Sequence, residues 1–158
     1  SEINDDNVLE SIGSNAFAQT NLKSANFSKL NELYDGAFNS CRNLSHVSIP
    51  NCKYIPQNAF CGCINLSDIN FDNCYTIGDM AFTSCERLNI VKLENCESIG
   101  ASAFSGCNNI TQVELFNCKQ IGSNAFANCT NLTNVTHGLF LQNSHKPEHP
   151  TQKYRIFH

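Results

Sequence analysis

Apolar residues recur along this chain at a fixed interval. An Ala-Phe pair lies at residues 37–38 and returns four more times, each time 22 residues later. The same apolar frame accompanies every pair, as in Leu88, Val91, Leu93, Cys96 and Ile99. A repeat of this length indicates a solenoid, in which each unit buries its apolar face against its neighbours.

The frame also predicts the local structure of each unit. Strict alternation around residues 47–49 and 91–93 predicts one short strand per unit, and stacking these strands gives one parallel sheet. The stretch around each Ala-Phe pair predicts a tight turn followed by a short helical or 3₁₀ segment on the opposite face. Gly78, Gly100 and Gly122 share a turn position that holds Pro56 in another unit, so we interpret that position as tolerant and without a need for positive φ.

The pattern LxxLxLxxC is typical of leucine-rich repeats with cysteine at the last position. Combined with the following IGxxAFxxC half, it resembles the BspA-like leucine-rich repeat family over residues 9–135. The resemblance implies an α/β-type solenoid, a right-handed stack of about six turns. It also implies a non-enzymatic recognition module of a cell-surface or secreted protein, with adhesion or host/matrix binding as its role.

The two ends of the chain depart from the repeat. Asp5 and Asp6 fall where the frame has apolar residues, so residues 1–11 are predicted to be a partial, irregular unit. We assign residues 1–141 to the solenoid and residues 142–158 to a tail outside the repeat, which is a candidate cap or contact with a second protomer. No signal-peptide pattern opens the chain, and Ser1 lies mid-pattern, so we expect a piece of a longer protein.

Ten cysteines in 158 residues suggest a disulfide scaffold or a metal protein at first sight. Nine of them lie on an 11-residue grid, which is two positions per unit. The grid predicts two ladders of buried free thiols, with ladder disulfides or a metal site as the alternatives. Cys61 lies off the grid and is predicted to be the most exposed thiol.

Charge and motifs narrow the functional classes. The net charge is −4 and charged residues make up only 15% of the chain, which does not suit a nucleic-acid partner. No apolar run is long enough for a membrane span. The sequence lacks a nucleophile elbow, a glycine-rich phosphate loop and a paired-carboxylate motif, and the histidines of the tail lack metal-site spacing. We therefore predict no enzyme activity, no cofactor and no metal.

Two hypotheses remain for the function. The first is binding of another protein or matrix macromolecule through the exposed sheet face. The alternative is a structural or self-assembling spacer, joined through the stack ends or the tail. On the first hypothesis the outward strand positions form the binding face, and Lys92 and Glu114 are predicted neighbours. The predicted binding residues are His46, Asp68, Asn70, Asp72, Ile90, Lys92, Glu94, Gln112, Glu114 and Phe116.

Overall fold

The protein folds as a stack of parallel strands. The computed structural model describes residues 1–5 and 8–137, which contain thirteen strands in two columns. The column of longer strands comprises β1 (Glu2–Asp5), β3 (Ser24–Phe27), β5 (His46–Ser48), β7 (Asp68–Asn70), β9 (Ile90–Lys92), β11 (Gln112–Leu115) and β13 (Asn134–His137). The column of two-residue strands comprises β2 (Ser11–Ile12), β4 (Glu32–Leu33), β6 (Tyr54–Ile55), β8 (Thr76–Ile77), β10 (Ser98–Ile99) and β12 (Gln120–Ile121).

Strand pairing follows the repeat. Val113 of β11 lies opposite Val91 of β9 on one side and Val135 of β13 on the other, each 22 positions away in sequence. The predicted parallel solenoid is therefore confirmed. The chain adds a second column of strands that the sequence did not predict, because a two-residue strand is too short to show alternation.

Turns, not helices, follow each short strand. The described residues contain no helix, so the predicted helical segments are not confirmed. In the third turn Asn58 and Gly62 have φ values of 56° and 74°, which a right-handed helix does not contain. Backbone N–H groups here alternate between two uses: Phe60 donates to Ala81 of the next turn at 2.8 Å, whereas Cys61 donates to Asn58 within its own turn at 3.1 Å.

The core is a set of vertical ladders. Phenylalanine rings from successive turns stack with centroids 5.1–5.3 Å apart, from Phe17 through Phe38, Phe60, Phe82 and Phe104 to Phe126. Nine cysteines are buried beside them, and all ten are free thiols, with only Cys61 partly exposed. The prediction of two buried thiol ladders is borne out.

Close approach between turns explains the shared glycine position. A Cβ at Gly100 would lie 2.6 Å from the backbone nitrogen of Asp79, and one at Gly122 would lie 2.5 Å from that of Ala101. These glycines have no positive φ, as predicted. The interpretation of the position as tolerant is nevertheless wrong in these turns, because the backbone of the preceding turn fills the space of a side chain.

The longer strands do not form one continuous sheet. Strands β1, β3, β5 and β7 form one sheet, and β9, β11 and β13 form another. The short strands continue past this break, since β8 pairs with β10. Backbone strand pairing is therefore interrupted between β7 and β9 among the longer strands and continues across the same two turns among the short strands.

The beginning of the chain is more regular than predicted. β1 pairs with β3 in register along its whole length, with Ile3 opposite Ala25 and Asp5 opposite Phe27. The expectation of an irregular first unit is thus wrong for residues 2–5, because backbone pairing with β3 includes Asp5. The assigned tail at 142–158 lies outside the described residues.

Candidate binding surface

Alternation along the longer strands places the predicted residues on the outer face. In β9 Val91 is only 2% exposed, and Leu93, directly after the strand, is equally buried. Ile90, the first residue of the strand, is 53% exposed. Lys92 and Glu94 are exposed as well. Glu114 and Gln112 of β11 are half-buried, and Val113 between them is fully buried. The predicted direction of these side chains is therefore confirmed.

The first outward column, made of His46, Asp68, Ile90 and Gln112, contains a hydrogen bond between two side chains. His46 and Asp68 are register partners on β5 and β7, and the Nδ1 of His46 lies 2.6 Å from the Oδ2 of Asp68. Their side chains are 40% and 69% exposed, so the contact adds little stability. Its effect is to fix the imidazole and the carboxylate on the outer surface of the first sheet.

The middle outward column is made of Ser48, Asn70, Lys92 and Glu114, and its side chains pair differently from the prediction. Lys92 and Glu114 are register partners, as predicted from the repeat. Among the described residues, however, no ion pair joins them. The carboxylate of Glu114 instead accepts a 2.7 Å hydrogen bond from the Nε2 of Gln112 on its own strand. Lys92 therefore presents an ammonium group next to a carboxylate that already has a partner.

The third outward column is made of Pro50, Asp72, Glu94 and Phe116. A ladder of asparagine side chains holds its backbone in place. Asn73, Asn95 and Asn117 each donate from Nδ2 to the backbone carbonyl 23 residues earlier, at 2.8, 3.0 and 2.6 Å. The acceptor of Asn95 is Asp72 and that of Asn117 is Glu94, so these bonds fix the backbone of two predicted residues. The bond from Asn95 to Asp72 also spans the break between the two sheets.

The ten predicted residues share one face but divide into two groups. His46, Asp68, Asn70 and Asp72 belong to the first sheet or its edge, and the other six belong to the second. Two apolar side chains stand out in the second group: Ile90, and Phe116, which is 39% exposed. Strand register extends the first column to Ser24 and Asn134, which the sequence analysis did not include although the 22-residue spacing predicts both.

The thiols of the cysteine ladders donate hydrogen bonds to backbone carbonyls and stay protonated. The Sγ of Cys85 donates to the carbonyl of Phe60 at 3.2 Å, and the Sγ of Cys107 donates to that of Phe82 at 3.1 Å. Burial raises the pKa of Cys52 and of Cys74 to about 12. At neutral pH these thiols stay protonated, and a protonated thiol is neither a nucleophile nor a metal ligand. Within residues 1–5 and 8–137, no group of three metal-ligating side chains converges.

The repeat and its ladders match a known family model. The model of the BspA type leucine rich repeat region matches six copies, over residues 1–89 and 53–143. This chain belongs to the BspA-type leucine-rich repeat family. Leucine-rich repeat proteins of this kind are protein-interaction modules, and BspA-type repeats are typical of bacterial surface proteins. No functionally curated protein matches the chain. In the part of the chain that the structure describes, no helix is long and apolar enough to cross a membrane.

Solved structures show the same architecture. The leucine-rich repeat protein TpLRR of T. pallidum is 28% identical with a TM-score of 0.73, over 79% of this chain and 62% of its own. A leucine-rich repeat protein of Bacteroides ovatus is 25% identical with a TM-score of 0.64, over 82% of this chain and 41% of its own. A leucine rich cell surface protein of Faecalibacterium prausnitzii is 26% identical with a TM-score of 0.65, over 82% of this chain and 43% of its own. The chain thus spans less than two thirds of the length of each of these proteins.

Proposed function

We propose that this BspA-type repeat is the non-enzymatic recognition part of a cell-surface or secreted protein. On this proposal it binds a protein or matrix macromolecule through the outer face of the longer strands, and its role is adhesion or host/matrix binding. The family and the cell-surface protein of Faecalibacterium prausnitzii support the location. The family's usual role as an interaction module supports the function.

The observation that carries the proposal is the contrast between inner and outer positions. Inward positions repeat almost unchanged and are buried, as with Val47, Val91 and Val113. The outward positions beside them vary from turn to turn, for example Ser48, Lys92 and Glu114. A stack needs the first set for packing, whereas nothing in the packing sets the second. A variable outer face on a constant frame is suited to recognising one particular partner.

The second sheet offers the mixture found at interfaces. Ile90 and Phe116 are exposed apolar side chains on adjacent turns, and Lys92 and Glu94 lie beside them. Protein interfaces commonly combine a few apolar anchors with a polar rim, and the anchors carry most of the binding energy. We therefore place the energetic centre of the binding face at Ile90 and Phe116.

The test uses a panel of purified extracellular matrix proteins. The chain is immobilised and binding is measured by surface plasmon resonance, with the Ile90→Ser, Phe116→Ala double variant beside the wild type. Loss of two apolar anchors is expected to weaken binding by about 2 kcal/mol or more, which is roughly thirtyfold. Both side chains are exposed, so the variant is expected to keep its melting temperature.

The control is altered away from the sheet face, at Ser105→Ala and Ser123→Ala. Asn128 is avoided because its φ of 59° would make alanine strained. Equal binding by the double variant together with weakened binding by the control would refute the proposed face. Absence of binding across the panel would refute matrix binding as the role.

A second candidate is self-assembly through the stack ends. Among the described residues β1 pairs only with β3, and β13 pairs only with β11, so each terminal strand has one side outside the described sheets. Unpaired strand edges promote association between chains. Light scattering over a range of concentrations separates the two functions, since a monomer at all concentrations excludes a self-assembling spacer. Deleting residues 146–158 tests whether the tail contributes to any association.

A further inference from the structure

Three exposed tyrosines occupy successive turns on the side of the short strands. Tyr34, Tyr54 and Tyr75 are 50%, 47% and 45% exposed. Tyr54 belongs to β6, Tyr75 directly precedes β8, and Tyr34 directly follows β4. The backbone N–H of Tyr75 donates to the carbonyl of Lys53, next to Tyr54, at 2.8 Å. Since neighbouring strands are about 4.8 Å apart, the three tyrosines fall within two strand spacings along the stack.

The tyrosine rings lie outside the phenylalanine ladder of the core. Among the described residues the aromatic contacts involve only phenylalanines, and the tyrosine rings take no part in them. The hydroxyl of Tyr34 donates to the Oε2 of Glu32 at 3.3 Å. Each tyrosine side chain leaves about half of its surface exposed, and that part is available to a partner.

Carboxylates border the rings. Asp35 and Asp79 lie on the turns either side of the turn of Tyr54, since the N–H of Gly36 donates to the Gln57 carbonyl at 3.0 Å and the N–H of Asn58 donates to the Asp79 carbonyl at 3.1 Å. Burial first, and then these two carboxylates, raise the pKa of the Tyr54 hydroxyl. Segments 31–36, 53–58 and 75–80 contain three acidic residues, Glu32, Asp35 and Asp79, and one basic residue, Lys53. On the turns above, Lys119 is already paired with Glu97 at 2.9 Å. The charge around the tyrosines is therefore negative.

Met80 adds a strained apolar side chain at the same place. It directly follows Asp79, is 37% exposed, and has a φ of 54°. The equivalent residues in the other turns are Asn15, Gly36, Asn58, Ser102 and Asn124. Glycine and asparagine, at four of these five positions, suit the left-handed region, whereas methionine is disfavoured there. Met80 therefore differs from its equivalents in residue type, and it leaves more than a third of its surface exposed beside Asp79.

We propose that the tyrosine surface, made of Tyr34, Tyr54, Tyr75, Asp35, Asp79 and Met80, is a second docking site for an arginine- or lysine-bearing segment of a partner protein. Cations are attracted to the faces of tyrosine rings, and guanidinium groups bind carboxylates through paired hydrogen bonds. Rings and carboxylates on three adjacent turns can contact several side chains of one extended peptide. The excess of carboxylates selects a cationic partner over a neutral saccharide, which would use the rings alone.

The site is tested with a short fluorescein-labelled peptide in which arginine alternates with glycine. Fluorescence anisotropy measures its binding to the whole chain at low salt, beside a glutamate-for-arginine peptide. The Tyr54→Ser, Tyr75→Ser variant is expected to weaken binding about tenfold, the loss of two cation–π contacts. The Asp35→Asn, Asp79→Asn variant is expected to weaken it by a similar factor and to reduce its salt dependence. Asparagine at 79 keeps an oxygen for the backbone N–H of Ala101, which Asp79 now accepts at 2.7 Å.

The matched control is the Ile90→Ser, Phe116→Ala variant of the sheet face, which is expected to bind the arginine peptide like the wild type. That control separates this site from the proposed function, since either face can fail without the other. Three results would overturn the proposal: no binding of the arginine peptide to the wild type, equal binding by both tyrosine-surface variants, or equal binding of the glutamate peptide. Binding of a neutral hexasaccharide that the tyrosine variant loses, without peptide binding, would assign the surface to carbohydrate instead.

Discussion

Replacing Phe82 with alanine removes a ring from the middle of the phenylalanine ladder. Phe82 is fully buried and stacks on Phe60 at 5.3 Å and on Phe104 at 5.1 Å, with the tilted ring of Phe71 at 5.8 Å. A Phe→Ala change in a core costs about 3–5 kcal/mol. The loss of three aromatic contacts places Phe82→Ala at the upper end of that range, since each contact adds about 0.5–1.5 kcal/mol beyond burial.

The size of this loss matters because unfolding free energies of domains are only about 5–15 kcal/mol. Urea unfolding followed by far-ultraviolet circular dichroism measures it, since the chain has no tryptophan for fluorescence. In a solenoid each turn contacts only its neighbours, so a defect in the middle divides the stack into two shorter parts. The transition of the variant is therefore expected to shift to lower urea and to broaden.

The matched control is Phe126→Ala. Phe126 is partly exposed and, among the described rings, stacks only on Phe104, at 5.3 Å. It is expected to cost about half as much as Phe82→Ala, because one stacking partner is lost instead of two. Equal losses at the two positions, or a loss below about 1 kcal/mol at Phe82, would refute the view that stacked rings between turns hold the solenoid together.

Four further predictions concern the backbone and the thiols. Gly100→Ala is expected to destabilise the chain strongly because of the Asp79 backbone, whereas Gly13→Ala, with nothing within 4 Å of its Cβ, is expected to be tolerated; equal melting temperatures would contradict this. Met80→Asn is expected to raise stability by about 1 kcal/mol through relief of positive-φ strain, and an unchanged urea midpoint would refute it. A thiol titration without reductant is expected to find few reactive groups in the folded chain, Cys61 first, and nearly all ten after denaturation; few titratable thiols even after denaturation would indicate a disulfide ladder instead. Since burial raises the folded-state pKa of thiols such as Cys52 to about 12, stability is expected to be full below the ordinary thiol pKa, near 8.5, and to fall as pH rises towards 12; a constant urea midpoint up to pH 11 would refute this.

The sequence predicted the structural features that recur in every unit and extend over enough residues to show a period. The buried Val91 and the exposed Lys92 followed from alternation, and the register of Lys92 with Glu114 followed from the 22-residue spacing. Their missing ion pair did not, because the choice of Glu114 between Lys92 and Gln112 depends on side-chain rotamers. Spacing fixes which backbone positions are neighbours and leaves the hydrogen-bond partner open.

Features confined to two residues or to one turn were not predicted. The strand Tyr54–Ile55 is too short to show alternation. Residue types such as Ser84, which has a φ of 60°, do not distinguish a turn from a helix in the sequence. The tyrosine surface was not predicted, because Tyr34, Tyr54 and Tyr75 occupy three different positions of the repeat. Only folding, which stacks the turns, brings them to one side.

The break between β7 and β9 divides the outer face between two sheets. On the side of the short strands, bonds such as Glu97 N–H to Tyr75 carbonyl, at 2.8 Å, continue across the same two turns. On the outer face the side-chain bond from Asn95 to the Asp72 carbonyl, at 3.0 Å, crosses the break where backbone pairing is interrupted. A partner that touches both Asp72 and Ile90 spans this joint. Such a partner would add a contact between the two sheets at the place where their backbone pairing is interrupted.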